Sequence, residues 1–289
     1  MIGTHMGRKE IRSYLMLRKS LLLGFTLAGM MLASQLQAQF TPQEIAERPK
    51  WEEFLKTAEI VKFEEIGEGV TKPTRLYLKK GDVEASGAWK NPSGIQEGYL
   101  EGWQYEIAAY ELDKLLGLNM IPPTVEREFR GKKGSLQLWV KVKMNDLKRM
   151  DDNIPIPNLS AKNWERMKYL MRAFDGLIAN EDRTQQNILY SEDWRTILID
   201  HSRSFRSSKK FTERLVTGMN ALGNRPLFIR ELPRIFVEKI KTLDFSSIKN
   251  AVGPCLEKKE IEAILIRKKL LLDEIAELIK DKGEDKVLY

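Results

Sequence analysis

The chain has 289 residues, 42% of them hydrophobic, with one Cys, two His and a formal net charge of +7. That is ample apolar material for one large domain or two lobes and excludes a disordered chain. The single Cys255 permits no internal disulfide, and with only His5 and His201 present, histidine-based triads and His-rich zinc sites are excluded as well.

Residues 1–38 carry Arg8, Lys9, Arg12, Arg18 and Lys19 against Glu10, so without them the charge falls to +3. So balanced a chain makes no electrostatic case for a nucleic-acid binder. The run Leu21 to Ala33 is apolar, short for a span, preceded by Arg18 and Lys19 and followed by small and polar residues up to Ala38. It reads as a cleaved secretory signal peptide starting near Met16, with an uncleaved membrane anchor as the competing reading. Residues 1–38 are therefore a leader, and an exported, periplasmic or secreted location is expected.

Ile66-Gly67-Glu68-Gly69-Val70-Thr71-Lys72-Pro73 leads into the alternating Arg75-Leu76-Tyr77-Leu78. Backbone amides at Gly67 and Gly69 would be free to approach phosphates, since glycine has no side chain; an ordinary hairpin turn is the alternative. Ala85 to Lys90 reads as a strand presenting one ammonium group. Ala108, Leu112, Leu115 and Leu116 form an apolar face of a helix from about Trp103 to Gly117, while Glu106 and Tyr110 lie on another face. Glu106 is the expected partner of Lys90, with Glu101 and Glu111 as substitutes. After Pro122-Pro123, Thr124 to Phe129 and Ser135 to Lys143 read as paired strands across Gly131-Lys132-Lys133-Gly134. Leu138 and Val140, in Leu136 to Val140, are placed where a nucleotide base would meet backbone groups between lobes. Asn145 to Ser160, with Pro155 and Pro157, interrupts both periodicities. The expected division is an N-lobe at 39–144, a linker at 145–160 and a C-lobe at 161–289.

Trp164, Met167, Met171, Phe174 and Ile178 recur at helical spacing and deliver the chain to Asn180. Asp182, then Asn187, then Asp200 follow, with apolar strands Ile188 to Tyr190 and Thr196 to Ile199 joined by Ser191-Glu192-Asp193. A carboxylate, an amide five residues later and a carboxylate ending a strand are what Mg-ATP phosphoryl transfer requires. Asp182 would orient an acceptor hydroxyl; Asn187 and Asp200 would hold metal. The alternative is three turn-forming residues. The basic run Arg203, Arg206, Lys209, Lys210 and Arg214 either faces phosphate or an acidic substrate, or is a solvated loop. Cys255 reads as a packed small residue, and Glu257 to Lys280 as an amphipathic helix that docks on the larger lobe.

Over Glu65 to Phe205 the chain resembles the atypical kinases related to HipA, the phosphoinositide kinases and the secreted four-jointed and Golgi casein kinase group. Asn180-Glu181-Asp182-Arg183-Thr184-Gln185-Gln186-Asn187 and Ile199-Asp200-His201-Ser202-Arg203-Ser204-Phe205 carry the resemblance. It implies an α+β, bilobal protein-kinase-like fold with a small sheet-rich N-lobe and a larger, mainly helical C-lobe. It also implies ATP with Mg or Mn, Lys90 on phosphates, Glu106 anchoring it, and Asp182, Asn187 and Asp200 as the catalytic and metal cluster. No His-Arg-Asp or Asp-Phe-Gly sequence occurs, so regulation through those motifs does not carry over. Expected partners are nucleotide and an unidentified protein, sugar or lipid hydroxyl. No nucleic acid is expected, membrane contact only through an uncleaved leader, and a monomeric chain. A kinase-like binding module without turnover, or a hydrolase using Asp182 and Asp200, are the other functional classes.

Overall fold

The computed structural model describes residues 40–67, 73–96, 98–215 and 229–289. The leader and Gly69 lie outside these. Two short helices, α1 (Pro42–Ala46) and α2 (Arg48–Thr57), precede the strands β1 (Glu59–Glu65), β2 (Thr74–Lys80) and β3 (Val83–Lys90). The hairpin β4 (Ser93–Gln96) and β5 (Tyr99–Gly102) leads into helix α3 (Trp103–Leu116), and β6 (Thr124–Phe129) and β7 (Lys132–Leu138) complete the smaller lobe. Its sheet is five-stranded and antiparallel in the order β1-β2-β3-β7-β6.

Strand alternation gives this sheet two faces of opposite character. Phe54 and Leu55 of α2 pack with Leu76, Leu78, Trp89, Val125 and Leu136 into an apolar layer. Lys90, next to Trp89, is turned to the other face, where α3 lies. Gly134 makes the end of β3 possible, because a Cβ there would collide with the Trp89 ring and the Lys90 carbonyl. Helix α3 stops at Gly117, whose φ of 70° satisfies the left-handed cap that side chains disfavour.

A short strand β8 (Met144–Asn145) and helix α4 (Asp146–Asp151) lead to the long helix α5 (Asn158–Ile178) and the strands β9 (Ile188–Tyr190) and β10 (Thr196–Leu198). Strands β8, β9 and β10 form a separate small sheet. Helices α6 (Arg234–Thr242), α7 (Phe245–Val252), α8 (Lys258–Lys282) and α9 (Glu284–Val287) finish the chain. Their apolar faces join those of α3 and α5 in one large core containing Leu112, Phe174, Leu177, Phe236, Ile264 and Leu271. The fold is thus α+β and bilobal. The helix expected from Trp164 begins earlier, at Asn158, inside the proline-bearing stretch.

Arg267 of α8 has no exposed surface. It donates to the carbonyls of Leu177 (2.7 Å), Arg206 (2.6 Å) and Phe211 (3.3 Å), tying the segment after Asp200 to the end of α5. Burial away from any carboxylate lowers its pKa to about 9. Among the described residues no helix is long and apolar enough to cross a membrane.

Candidate active site

The site begins where α5 ends. Ala179 takes a left-handed conformation (φ 49°), and Asn180 caps the turn by donating its N–H and Nδ2 to the backbone and side chain of Asp175. Its Oδ1 accepts the Asp182 N–H at 3.1 Å. Asp182 then holds the following loop, its carbonyl accepting from Thr184 N (2.9 Å) and Asn187 Nδ2 (3.2 Å). That orients the Asn187 amide so that its oxygen has no hydrogen-bond partner among the described residues.

Arg183 fastens this loop to the strands. Its guanidinium is bidentate on the buried Asp175 carboxylate (2.9 and 3.0 Å) and donates to the carbonyls of Asn187 (3.1 Å) and Ile199 (2.8 Å). The backbone of Asn187 itself and of the residue just before Asp200 is therefore clamped to one rigid fork. Arg183 Nη2 also lies 2.7 Å from Nε2 of the fully buried His201. Burial first, and the Arg183 charge second, push the His201 pKa down, so the ring is neutral and accepts from Arg183.

Asp200 closes the assembly with φ 59°, a conformation that turns its carboxylate out of the strand direction. Lys90 Nζ lies 2.9 Å from Asp200 Oδ1 and 2.9 Å from Glu106 Oε1. Glu106 uses its second oxygen to accept the His201 N–H at 2.9 Å. One carboxylate from α3 thus holds both the lysine of the smaller lobe and the chain just after Asp200. Burial disfavours both ions of this pair, but Asp200 and Glu106 hold Lys90 above the ordinary lysine range. Lys90 and the His201 hydrogen bond hold Glu106 well below the carboxylate range. Glu106 is almost fully enclosed, whereas Asp200 and Asp182 are about one-third exposed (30% and 34%).

Lys90, Glu106 and Asp200 are thus joined directly, and beside them lie Asp182, whose carboxylate feels the Asp200 charge, and Asn187, bonded to the Asp182 carbonyl. Burial raises the pKa of Asp182, with the neighbouring Asp200 adding to the effect and Arg203 opposing it. The substitute partners are engaged elsewhere: Glu111 pairs with Lys114, and Glu101 with Arg203.

The nucleotide-base residues divide differently. Leu138 shares the face of Leu136 and Trp89, opposite Lys90, and its N–H donates to the Pro123 carbonyl at 2.8 Å. With Val140, Phe40, Trp51 and Ala85 it lines a groove of about 460 Å³ on that reverse face. On the Lys90 face the positions near the hinge, residues 139–143 between β7 and β8, are Ala88, Gln137 and Arg75, the last stacked 4.2 Å from the Trp139 ring. Val140 retains a main chain without hydrogen bonds among the described residues. Gly67 lies two residues past the end of β1, and, its chain neighbours aside, no atom of the described residues comes within 4 Å of where a Cβ would stand.

Asp175, Arg183 and Arg203 were not singled out by sequence as parts of the site, although Arg203 stood in the basic run. A signal existed for one of them: Asp175 is a lone carboxylate inside Phe174-Asp175-Gly176-Leu177-Ile178. A charge within so apolar a stretch demands a buried partner.

Two lobes, a sheet lysine paired with a glutamate of α3 and an Asp–Asn–Asp loop cluster define an atypical protein-kinase-like fold. No family model matches the chain, and no protein of curated function matches it in sequence. Solved structures do match. Fam20 of hydra, solved with sugar, superimposes with a TM-score of 0.62 over 87% of this chain and 95% of that one, at 16% identity. A Golgi casein kinase gives 0.59 over 83% and 79%, also at 16% identity. A Golgi casein kinase structure with Mn/ADP bound gives 0.57 over 84% and 79%, at 15% identity. At such identities the likeness is one of fold.

Proposed function

We propose that this chain is an atypical kinase, transferring the terminal phosphoryl group of ATP to an acceptor hydroxyl with Mg or Mn. The observation that carries this reading is Lys90, held at 2.9 Å from both Glu106 and Asp200, beside a loop presenting Asp182 and Asn187. Glu106 fixes the lysine, Lys90 receives phosphate oxygens, and Asp182 orients the acceptor and takes its proton. The bond from acceptor oxygen to the terminal phosphorus forms as the bond to the ADP oxygen breaks.

The donor set fits a hard divalent cation, since the Asp200 carboxylate and the unpartnered Asn187 amide oxygen are both oxygen ligands. Bound there, the ion would neutralise charge on the phosphate oxygens. The Mn/ADP held by a Golgi casein kinase agrees with that chemistry. The Val140 main chain, rather than Leu138, is the hinge group left for a base. The leader composition supports export, and donor nucleotide must then reach the protein outside the cytoplasm.

Thermal unfolding tests the reading. ATP with Mn or Mg raises the melting temperature of the protein lacking its leader, because a ligand that binds only the folded state stabilises it. Asp200→Ala abolishes the rise, and radiolabel passes from γ-labelled ATP to an acceptor only in the unmutated protein. A rise that survives Asp200→Ala would falsify the metal assignment; stabilisation without transfer or ADP release leaves a nucleotide-binding module instead.

A further inference from the structure

Of the basic residues after Asp200, Arg203 is the one the structure holds against Asp182. Its Nη1 is 3.1 Å from Asp182 Oδ2. Nε and Nη2 both lie 2.7 Å from Oε1 of Glu101, whose side chain has no exposed surface. The Tyr99 ring covers the guanidinium at 4.5 Å. Arg206 is turned elsewhere, onto Glu181 and the Leu100 carbonyl, and Lys209 pairs with Glu213 at the surface.

Arg203 is thus pinned along one edge by a buried carboxylate and directs its remaining nitrogen at the group that meets the acceptor. Transferring a phosphoryl group spreads negative charge over three equatorial oxygens at that place, and a fixed cation there needs no reorganisation. The loop Asp182-Arg183-Thr184-Gln185-Gln186-Asn187 supplies none, because Arg183 is consumed by Asp175 and two carbonyls. Lys90 is already shared by Glu106 and Asp200.

We propose that Arg203 is a further catalytic residue of this site, neutralising the phosphoryl group in flight, and that Glu101 is the residue that positions it. In the step, the acceptor oxygen bonds to the terminal phosphorus and its proton passes to Asp182. The phosphorus–oxygen bond to the leaving group breaks with its electron pair departing on ADP. Arg203 Nη1 shifts its hydrogen bond from Asp182 to a phosphoryl oxygen. This rests on the kinase reading above.

The test uses ATP with Mn and water as the acceptor, read as ADP release, beside nucleotide binding read as thermal stabilisation. Arg203→Ala lowers kcat about a thousandfold while KM for ATP stays within about threefold, since the lost interaction exists only in the transition state. Free guanidinium ion restores part of the rate. Arg203→Lys, which keeps the charge between the two carboxylates, binds ATP normally yet loses rate by at least about tenfold, because a point charge cannot satisfy Glu101 and the phosphoryl group together. Glu101→Gln gives a smaller loss of kcat that Arg203→Ala renders non-additive. Unchanged kcat in Arg203→Ala overturns the proposal. Loss of rate together with loss of ATP stabilisation in both Arg203 variants, without guanidinium rescue, also overturns it and makes Arg203 structural. An unmutated protein that binds ATP yet neither releases ADP to water nor passes label to an acceptor defeats the kinase reading itself, and this role with it.

Discussion

Helix α3 carries two buried carboxylates two turns apart, Glu106 and Asp113, and each meets a cation from another element. Asp113 faces Arg48 of α2 at 3.3 Å, and its other oxygen accepts the N–H groups of Met120 and Ile121. Every group in that cluster is enclosed, with side-chain exposures of 6% and 1% for the ion pair. Glu106 meets Lys90 at the same depth, but Lys90 also touches Asp200, which is 30% exposed. A buried ion pair is weak evidence of function, because desolvation offsets much of its attraction wherever it occurs. What separates these two is that one cation is shared with a carboxylate facing solvent, so an arriving ligand can compete for it.

Neutralising both members of each pair breaks the comparison most sharply. Lys90→Met with Glu106→Gln leaves no unpaired buried charge, so urea unfolding shifts by no more than about 1–2 kcal/mol. Phosphoryl transfer nevertheless falls by about 10³-fold if, as proposed above, Lys90 is the group that meets the phosphates. Arg48→Met with Asp113→Asn matches that stability, because the introduced amide oxygen still accepts from Met120 and Ile121, and retains transfer within about threefold. Equal losses of transfer in the two double variants would show that the site depends only on a well-packed α3.

Single substitutions sharpen the contrast in stability. Arg48→Met alone strands the Asp113 carboxylate in the core and lowers unfolding free energy by about 3–5 kcal/mol. Lys90→Met strands Glu106 in the same way, with only the His201 N–H left to it against the two that Asp113 keeps, so its loss is at least as large. Urea midpoints of the two variants rank them directly; a Lys90→Met protein clearly the more stable of the two contradicts that order.

The chain's local patterns were legible because helices and hairpins are read from neighbouring residues. The strand presenting Lys90, the helix from Trp103, and the loop from Asp182 to Asp200 all involve short spacings. Nothing local says that β3 pairs with β7 across the whole of α3, so the face taken by Leu138 was hidden: the sheet order, not the strand, turned it toward α2. Arg183 and Arg203 were hidden for a related reason. Their partners Asp175 and Glu101 are reached through helix ends and lobe closure, and in sequence a paired arginine looks like a solvated one. Helix α2 was hidden by its brevity: it has 10 residues, too few for its one apolar patch of Trp51, Phe54 and Leu55 to recur as a period.

The two carboxylates also differ in how pH should act on them, with the smallest but most diagnostic effect. Burial, opposed by Arg48, raises the Asp113 pKa to about 6 from the ordinary 3.8. A folded-state value above the unfolded one means that its contribution is fully present below 3.8 and is lost as pH rises through about 6. Glu106 is shifted the other way by Lys90, so its contribution is present above the ordinary 4.5 and is lost only as pH falls through its depressed folded value. Unfolding curves collected across the interval from 3.8 to 6 then diverge. The unmutated protein loses stability relative to Asp113→Asn as pH rises, while its advantage over Glu106→Gln does not decline. Parallel slopes for both variants would mean that Asp113, like Glu106, is ionised throughout that range, and that Arg48 overcomes its burial as fully as Lys90 overcomes that of Glu106.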